Sequence, residues 1–459
     1  MSFVGPSYAL ANRKASIQRS VNMRLVGLEA QGKAPFMLES MPGLAVFSTL
    51  SGVVRGGIQA AGRAFFAAGS TLYEVLADGS NASRGTLATA SGPVEMAYGL
   101  TQLVIVDGAN GYVLNLSSNL FSNITSAAFY GSTRVEFLDN YFLFIRPDTQ
   151  QFYITAINDA TNLDALDFAS AESSPDNLVS LVVDHAEAWM MGSNTTEIFF
   201  NSGNADFPFE RNRGAILEVG CISPYSARKI DNSVFWIGQD TNGSGIVYRA
   251  NGYQPQRIST RAIEETLQAS SDLSAAVAFC WQENGLTYYA INAPGLTQTL
   301  VYEVAAGQWF DWCDIDGVGQ FEACRAVNHV FAFGKHLIGG SDGVVYRMGV
   351  DVHKNGSDPL VRERTSPHDA KPGRGRVPYQ SFWLDCTTGD ASSDMPIEMS
   401  YTNDSGDNWS DPKVRNIGAA GNRVARVLWN SRLGLSRDRV WRVRFSGDAP
   451  FSIIDGGAA

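Results

Sequence analysis

A short unit recurs along most of the chain: an apolar run, a turn rich in Gly, Asp or Asn, and a second run carrying an aromatic. It reads FFAAGSTLYEV at 65–75, LVIVDGANGYVLN at 103–115, YFLFIRPDTQQFYITA at 141–156 and WMMGSNTTEIFFN at 189–201. It returns as VFWIGQDTNGSGIVYRA at 234–250, FCWQENGLTYYAIN at 279–292 and HLIGGSDGVVYRMG at 336–349. The aromatics after the turns are Tyr73, Tyr112, Tyr153, Phe199, Tyr248, Tyr288 and Tyr346, separated by 39, 41, 46, 49, 40 and 58 residues. Each unit has the pattern of a β-hairpin, with residues that tolerate positive φ between β-prone runs. Hairpins spaced by about 40–50 residues match the four-stranded blades of a propeller. Closing such a ring leaves few strand edges open to aggregation. The expectation is an all-β chain with a β-propeller of six or seven blades over residues 51–352. A string of β-sandwiches is the alternative, because the period drifts and no WD or kelch signature is present.

At 459 residues the chain is too long for one ordinary core, and a repeat ring resolves that difficulty. The net charge is −11 and unevenly spread: residues 361–459 hold 14 Lys/Arg against 12 Asp/Glu, leaving 21 against 34 in residues 1–360. Acidity of that size argues against a protein that grips nucleic acid through phosphates, which needs a basic stripe. Five cysteines (Cys221, Cys280, Cys313, Cys324 and Cys386) form no CxxC pair and read as free thiols in a reducing compartment. The opening MSFVGPSYALANRKASIQRS has no apolar core of a signal peptide, and no run reaches the roughly 20 apolar residues of a membrane helix. The expectation is a soluble protein made in a cytoplasm.

Two segments break the repeat. RISTRAIEETLQASSDLSA predicts a helix capped by Ser259 or Thr260, with Glu264 and Glu265 in its first turns and Ile263 and Leu267 on one face. HKNGSDPLVRERTSPHDAKPGRGRVP at 353–378 carries four prolines and six basic residues and predicts a mobile or partner-ordered loop. Beyond it, YQSFWLDC, PIEMSYTND, RVARVLWNS and RVWRVRFS alternate as strands of a small β domain at 379–459, with residues 1–50 as an N-terminal arm that contributes to this platform.

The small domain contains TNDSGDNWS (402–410), the Ser/Thr-x-Asp-x-Gly-x-x-Trp spacing of the sialidase "Asp box". A sialidase also needs an arginine triad, a tyrosine nucleophile and an acid/base carboxylate, and most glycosidases need a carboxylate pair. The sequence offers no arginine triad, and the box occurs once. Asp404, Gly406 and Trp409 therefore read as a structural turn: an Asp accepting turn N–H groups, a Gly at positive φ, and a Trp packed beneath. The five histidines (His185, His329, His336, His353 and His368) show neither HExxH nor HxH spacing. Asp240, Asn242 and Ser244 in QDTNGSG faintly resemble the opening of a calcium loop, but position twelve is Asn251 rather than Glu. No catalytic, cofactor or metal site is expected. Lys354, Arg362, Arg364, Lys371, Arg374 and Arg376 form the one candidate contact loop for a subunit or DNA, diluted by Asp358, Glu363 and Asp369.

Three stretches together resemble the phage stabilisation proteins, the tail hub or nozzle proteins of short-tailed phages. The longest is VGCISPYSARKIDNSVFWIGQDTNGSGIVYRANGYQPQRISTRAIEETL at 219–267, with Gly220, Cys221, Pro224, Asn232, Trp236, Gly238, Gly245, Tyr248, Gly252, Pro255, Ile258, Ser259, Thr260 and Glu264. QRSVNMRLVGLEAQGKAPFMLESMPGLAVF resembles the family's opening through Asn22, Gly32, Lys33, Pro35, Pro42, Gly43 and Leu44, with Met23-Arg24 in place of an aromatic or Tyr-Pro step. DSGDNWS and RLGLSRDRVWRVRFS (432–446) resemble its close, with Asn408 where Thr is usual. The resemblance implies a non-enzymatic virion protein, assembled in the host cytoplasm. Six copies would ring the tail below portal and adaptor, contact the head–tail connector and a tail needle or fibres, close the channel after packaging, and pass double-stranded DNA without binding it specifically. A glycan-binding or glycan-cleaving propeller of a tail fibre is the competing expectation.

Overall fold

The computed structural model describes residues 3–28, 33–241, 243–370 and 375–459. Gly32, Asn242, Lys371 and Arg374, singled out above, lie outside the described residues. Among those described, seven antiparallel sheets follow one another around a ring, at 54–86, 95–123, 135–170, 178–217, 220–257, 277–315 and 326–349. Numbered one to seven as blades, they have inner strands beginning at Val54, Glu95, Val135, Leu178, Arg228, Val277 and Ala326. Each inner strand packs on the next, and the last packs on the first. The fold is therefore an all-β propeller with a β-sandwich beside it.

Chemistry at the turns explains the regularity. In every blade the inner strand returns through a two-residue loop, flanked by pairs such as Ala60↔Arg63, Gly99↔Gln102 and Ala332↔Lys335. The first loop residue is left-handed in all seven: Ala61, Leu100, Asp139, His185, Asp231, Asn284 and Phe333, with φ between 47° and 57°. Six of the second residues are left-handed too, the type I′ geometry whose twist matches that of paired strands. Glycine is required where blade one meets the entry to blade two: a Cβ on Gly56 would overlap the carbonyl oxygen of Val94. Apolar clusters fill the spaces between blades, as where Phe235 and Ile237 of blade five meet Tyr289 and Ile291 of blade six.

The recurring sequence units map onto the blades with one shift. Tyr73, Tyr112, Tyr153, Phe199, Tyr248 and Tyr346 lie on third strands, whereas Tyr288 lies on the second strand of blade six. Its third strand, Thr299–Glu303, carries Tyr302 instead, so the long final gap was a change of hairpin. The helix spans Arg261–Gln268 with Thr260 at the N-cap, and buries Ile263 and Leu267 against blades five and six. Thr260 makes no side-chain capping bond; Ser259 Oγ donates instead to Glu264 Oε1 at 2.7 Å.

The arm enters the sandwich and also reaches the propeller, and the described start of the basic segment is paired. Gly43–Thr49 leaves the arm and forms the outer strand of blade seven, antiparallel to Val344–Gly349. Ile17–Val21 joins one sheet of the sandwich beside Arg362–Thr365, Val440–Phe445, Pro396–Thr402 and Lys413–Asn416. Met23–Gly27 and Phe36–Ser40 join the other, with Ser452–Ala458, Val377–Cys386 and Val427–Ser436. Phe382, Trp429, Trp441, Phe445 and Phe451 fill the space between. Val21 also pairs in parallel with Asp311, which makes the first sandwich sheet continuous with blade six. The part of this stretch at 354–365 is no free loop, since Lys354–Asn355, Asp358–Pro359 and Arg362–Thr365 are all paired strands.

Leu100 stores strain in its turn, because a left-handed residue with a Cβ costs about 1–2 kcal/mol while Asn tolerates that region. Leu100→Asn is expected to raise the urea midpoint of unfolding, a gain of about 0.5–1 kcal/mol, with an unchanged denaturant slope.

Candidate functional site

The Asp box connects Pro396–Thr402 to Lys413–Asn416 in the sandwich, outside the ring. Asp404 Oδ1 accepts the Thr402 hydroxyl at 2.6 Å and the Asn408 N–H at 2.9 Å, and Oδ2 accepts Asn408 Nδ2 at 2.7 Å. Gly406 takes φ 91° and Ser405 φ 61°. Trp409 is half-buried beneath the guanidinium of Arg442, whose Cζ lies 4.1 Å from the ring centre. Hydrogen bonds from Thr402 and Asn408 hold the Asp404 carboxyl down to about 2.

Two of the residues that the sequence offered as a contact loop, Arg362 and Arg364, turn inward. Arg362 and Arg364 are 0% and 1% exposed. Arg362 Nη1 donates to Gly447 O at 2.7 Å and Leu360 O at 3.1 Å, Nη2 to Ala449 O at 3.2 Å, and Nε to Ser40 Oγ at 2.9 Å. Arg364 holds the start of the chain, donating to Phe3 O at 2.8 Å, Pro6 O at 3.0 Å and Ser20 Oγ at 2.9 Å. Burial pushes the Arg362 guanidinium down to about 10 and that of Arg364 to about 9. Both still carry charge at neutral pH, and the planar fork of five donors is what lets backbone carbonyls solvate it. Lys354, half-exposed, pairs with Asp448 at 2.7 Å, and Arg376 is exposed on the approach to Val377–Cys386. Arg362 and Arg364 are structural staples.

Sequence reading missed the cluster inside the ring. Glu95 of blade two receives Arg228 of blade five through both carboxylate oxygens, at 2.7 and 3.2 Å, and Arg134, just before the inner strand of blade three, at 2.9 Å. Arg134 also reaches Glu136 at 3.1 Å, while Lys229 pairs with Asp184 at 3.1 Å. Burial drives the Glu95 carboxyl upward, but attraction by Arg134 and Arg228 outweighs it and leaves the group below its ordinary range. For Glu136 burial wins: Arg134 offsets it only in part, Glu95 adds to it, and the carboxyl is pushed up from 4.5 to about 7. Glu95, Arg134 and Arg228 are far apart in sequence and share no motif, so only the ring brings them together.

Among the described residues, no three His, Cys, Asp or Glu side chains are grouped to hold a metal ion. His329 and His336 contact each other at 3.0 Å, and His368 meets Asp438 at 2.8 Å. The cysteines are unpaired, and Cys221, Cys313 and Cys324 are buried. No helix among the described residues is long and apolar enough to cross a membrane.

Residues 16–352 match the family model described as bacteriophage P22 Gp10, beta-propeller, and residues 370–458 match bacteriophage P22 Gp10, beta-sandwich. The chain belongs to the bacteriophage P22 Gp10 family. It is accordingly a structural component of a phage particle, of the tail class. No curated protein matches it. Of the solved structures it resembles, the N-terminal domain of Nup159 gives TM-score 0.44 at 9% identity, over 72% of this chain and 98% of that one. The Myceliophteria thermophila Cps50 (Swd1) β-propeller domain gives 0.44 at 8%, over 67% and 100%. Virginiamycin B lyase from Staphylococcus aureus gives 0.43 at 6%, over 71% and 98%. Similarity at that level passes no activity to this Gp10-family chain.

Two measurements follow from the geometry. Arg362→Met is expected to cost about 3 kcal/mol or more by stranding buried carbonyls, whereas Lys354→Ala should stay within about 0.5 kcal/mol; urea unfolding reads both. The second concerns Glu136. Its folded pKa exceeds the unfolded one, so the native state binds the extra proton between 4.5 and about 7, and this contribution to stability declines as pH rises through that window. Glu136→Gln should therefore raise the unfolding midpoint relative to wild type more at pH 8 than at pH 5.

Proposed function

We propose that this chain is the subunit of a tail hub or nozzle. Copies would form a ring, the hexamer implied by the family resemblance, through a repeated head-to-tail contact that closes by rotation. That ring would close the DNA channel after packaging and conduct the duplex during ejection. The family match over both propeller and sandwich carries this reading. Charge supports it, because a chain at −11 repels phosphates and a conduit should let DNA slide rather than hold it. The ion pairs that cross the propeller's interior support a passage between copies rather than through one propeller.

In this reading the sandwich, with the arm laced into it, is the platform that meets the adaptor or connector. The propeller faces outward toward a needle or fibres. The fibre-glycosidase alternative has lost its particular support: the Asp box lies outside the ring, and its carboxylate is spent on its own turn. The test is genetic and structural. Particles assembled without this protein should package DNA and then leak it, and an electron cryo-microscopy map of complete particles should place the chain in a ring on the tail axis. Stable full heads without it, or side spikes in its place, would overturn the proposal.

A further inference from the structure

Propeller blades ordinarily touch only their two neighbours, and the apolar clusters here follow that rule. Phe65 and Leu72 of blade one meet Leu103 and Ile105 of blade two, and Val104 and Val106 meet Phe142 and Phe144 of blade three. The Glu95 cluster departs from it. Blade five is not adjacent to blade two, yet Arg228 grips Glu95 with both terminal nitrogens. Each arginine also has a second hold. Arg228 Nε donates to Ala278 O of blade six at 2.7 Å, and Arg134 donates through Nε and Nη2 to Leu181 O of blade four at 3.1 and 3.0 Å. Three side chains thus join five successive blades, two to six.

These groups are well withdrawn from water: the side chains of Arg134, Glu95 and Arg228 are 3%, 15% and 20% exposed. A carboxylate between two guanidiniums satisfies both of its oxygens, and a desolvated charge left without its partner is costly. A cavity of about 520 Å³ is lined by Val53, Arg55, Pro93, Val277, Asn292 and Val327 among others. The cluster forms part of the wall of a second cavity of about 200 Å³, with Glu95, Arg228, Asn328 and His329.

We propose that Glu95, Arg134 and Arg228 form a transverse clasp, which couples blades that do not touch and shuts the propeller's own axis. Removing the central carboxylate leaves the Arg228 guanidinium without its paired carboxylate and Arg134 with Glu136 alone as counter-charge. The loosening must then appear where the arginines are held, across the ring from the substitution.

Hydrogen exchange read by mass spectrometry on the full chain tests this. Glu95→Gln should speed exchange at least tenfold in the amides of Ser233–Asp240 in blade five and Val277–Glu283 in blade six, with Ala326–Ala332 in blade seven unchanged. Val94→Ala, a neighbouring apolar change that spares the carboxylate, should loosen only blades one to three. Should Glu95→Gln fail to fold, Arg228→Lys keeps the charge but loses the two-pronged grip. It should speed exchange in Glu95–Gly99 of blade two. Faster exchange confined to the substituted blade and its neighbours, or spread evenly over all seven blades, would overturn the clasp.

Discussion

One buried amide holds the two halves of this molecule in register. Asn22 is 0% exposed and sits at φ 55°, between two strands that enter different sheets of the sandwich. Its Nδ2 donates to Cys313 O at 2.9 Å and Val361 O at 2.7 Å, and its Oδ1 accepts the Cys313 N–H at 2.8 Å. Its backbone N–H donates to Asp311 O at 2.7 Å, and its carbonyl accepts Met41 N–H at 2.9 Å. One residue therefore ties the outer strand of blade six, the arm and the entry to the Arg362 strand. Asn suits the position twice over: it tolerates the left-handed region, and its side chain is donor and acceptor together. Aspartate could not donate, and glycine would leave Cys313 N–H and two carbonyls without partners.

Once that junction is set, the order of the chain acquires a physical logic. The arm enters the sandwich first, then supplies Gly43–Thr49 as the closing strand of blade seven, nearly 300 residues before the strand it pairs with. The ring is thereby locked by the segment that precedes it, and the sandwich by segments on both sides of the ring. Closing so long a loop costs chain entropy, though the cost grows only logarithmically with length. What the lacing provides is cooperativity, since neither the seventh blade nor either sandwich sheet is complete without the arm. Arg19, ion-paired with Asp311, and Arg24, donating to Tyr288 at 2.7 Å, add polar contacts from arm to blade six on both sides of Asn22.

The sequence announced the blades because period-two alternation and turn-forming residues are local signals. It misplaced the unit of blade six because Asn284-Gly285, the strongest hairpin dipeptide there, sits between the first and second strands. The second-to-third connection, Ala293–Gln298, lacks that signal. The closing strand was invisible as such, because its partner lies at the other end of the ring. Arg362-Glu363-Arg364-Thr365 was misread for a different reason: all four residues are buried, and charge in a Pro- and Gly-rich stretch ordinarily marks solvent. The clasp was illegible altogether, since Glu95 and Arg228 are 133 residues apart and each looks ordinary in its own strand.

The Asp box shows how a motif can survive while its meaning changes. An acid or base in catalysis must exchange a proton near the working pH. Asp404 is instead held at about 2 by bonds from its own loop, so at neutral pH it is a fixed acceptor. Its neighbours are engaged as well. Arg439, 1% exposed, lies between the rings of Tyr379 and Tyr401 at 4.5 and 4.0 Å and donates to Asn403 in the box at 2.9 Å. An arginine enclosed by two aromatic rings and a turn amide cannot swing out to meet a sugar carboxylate. The same side chains that resemble a glycan site are consumed in holding the turn to the sandwich core, an arrangement that an active site at this turn would have to break.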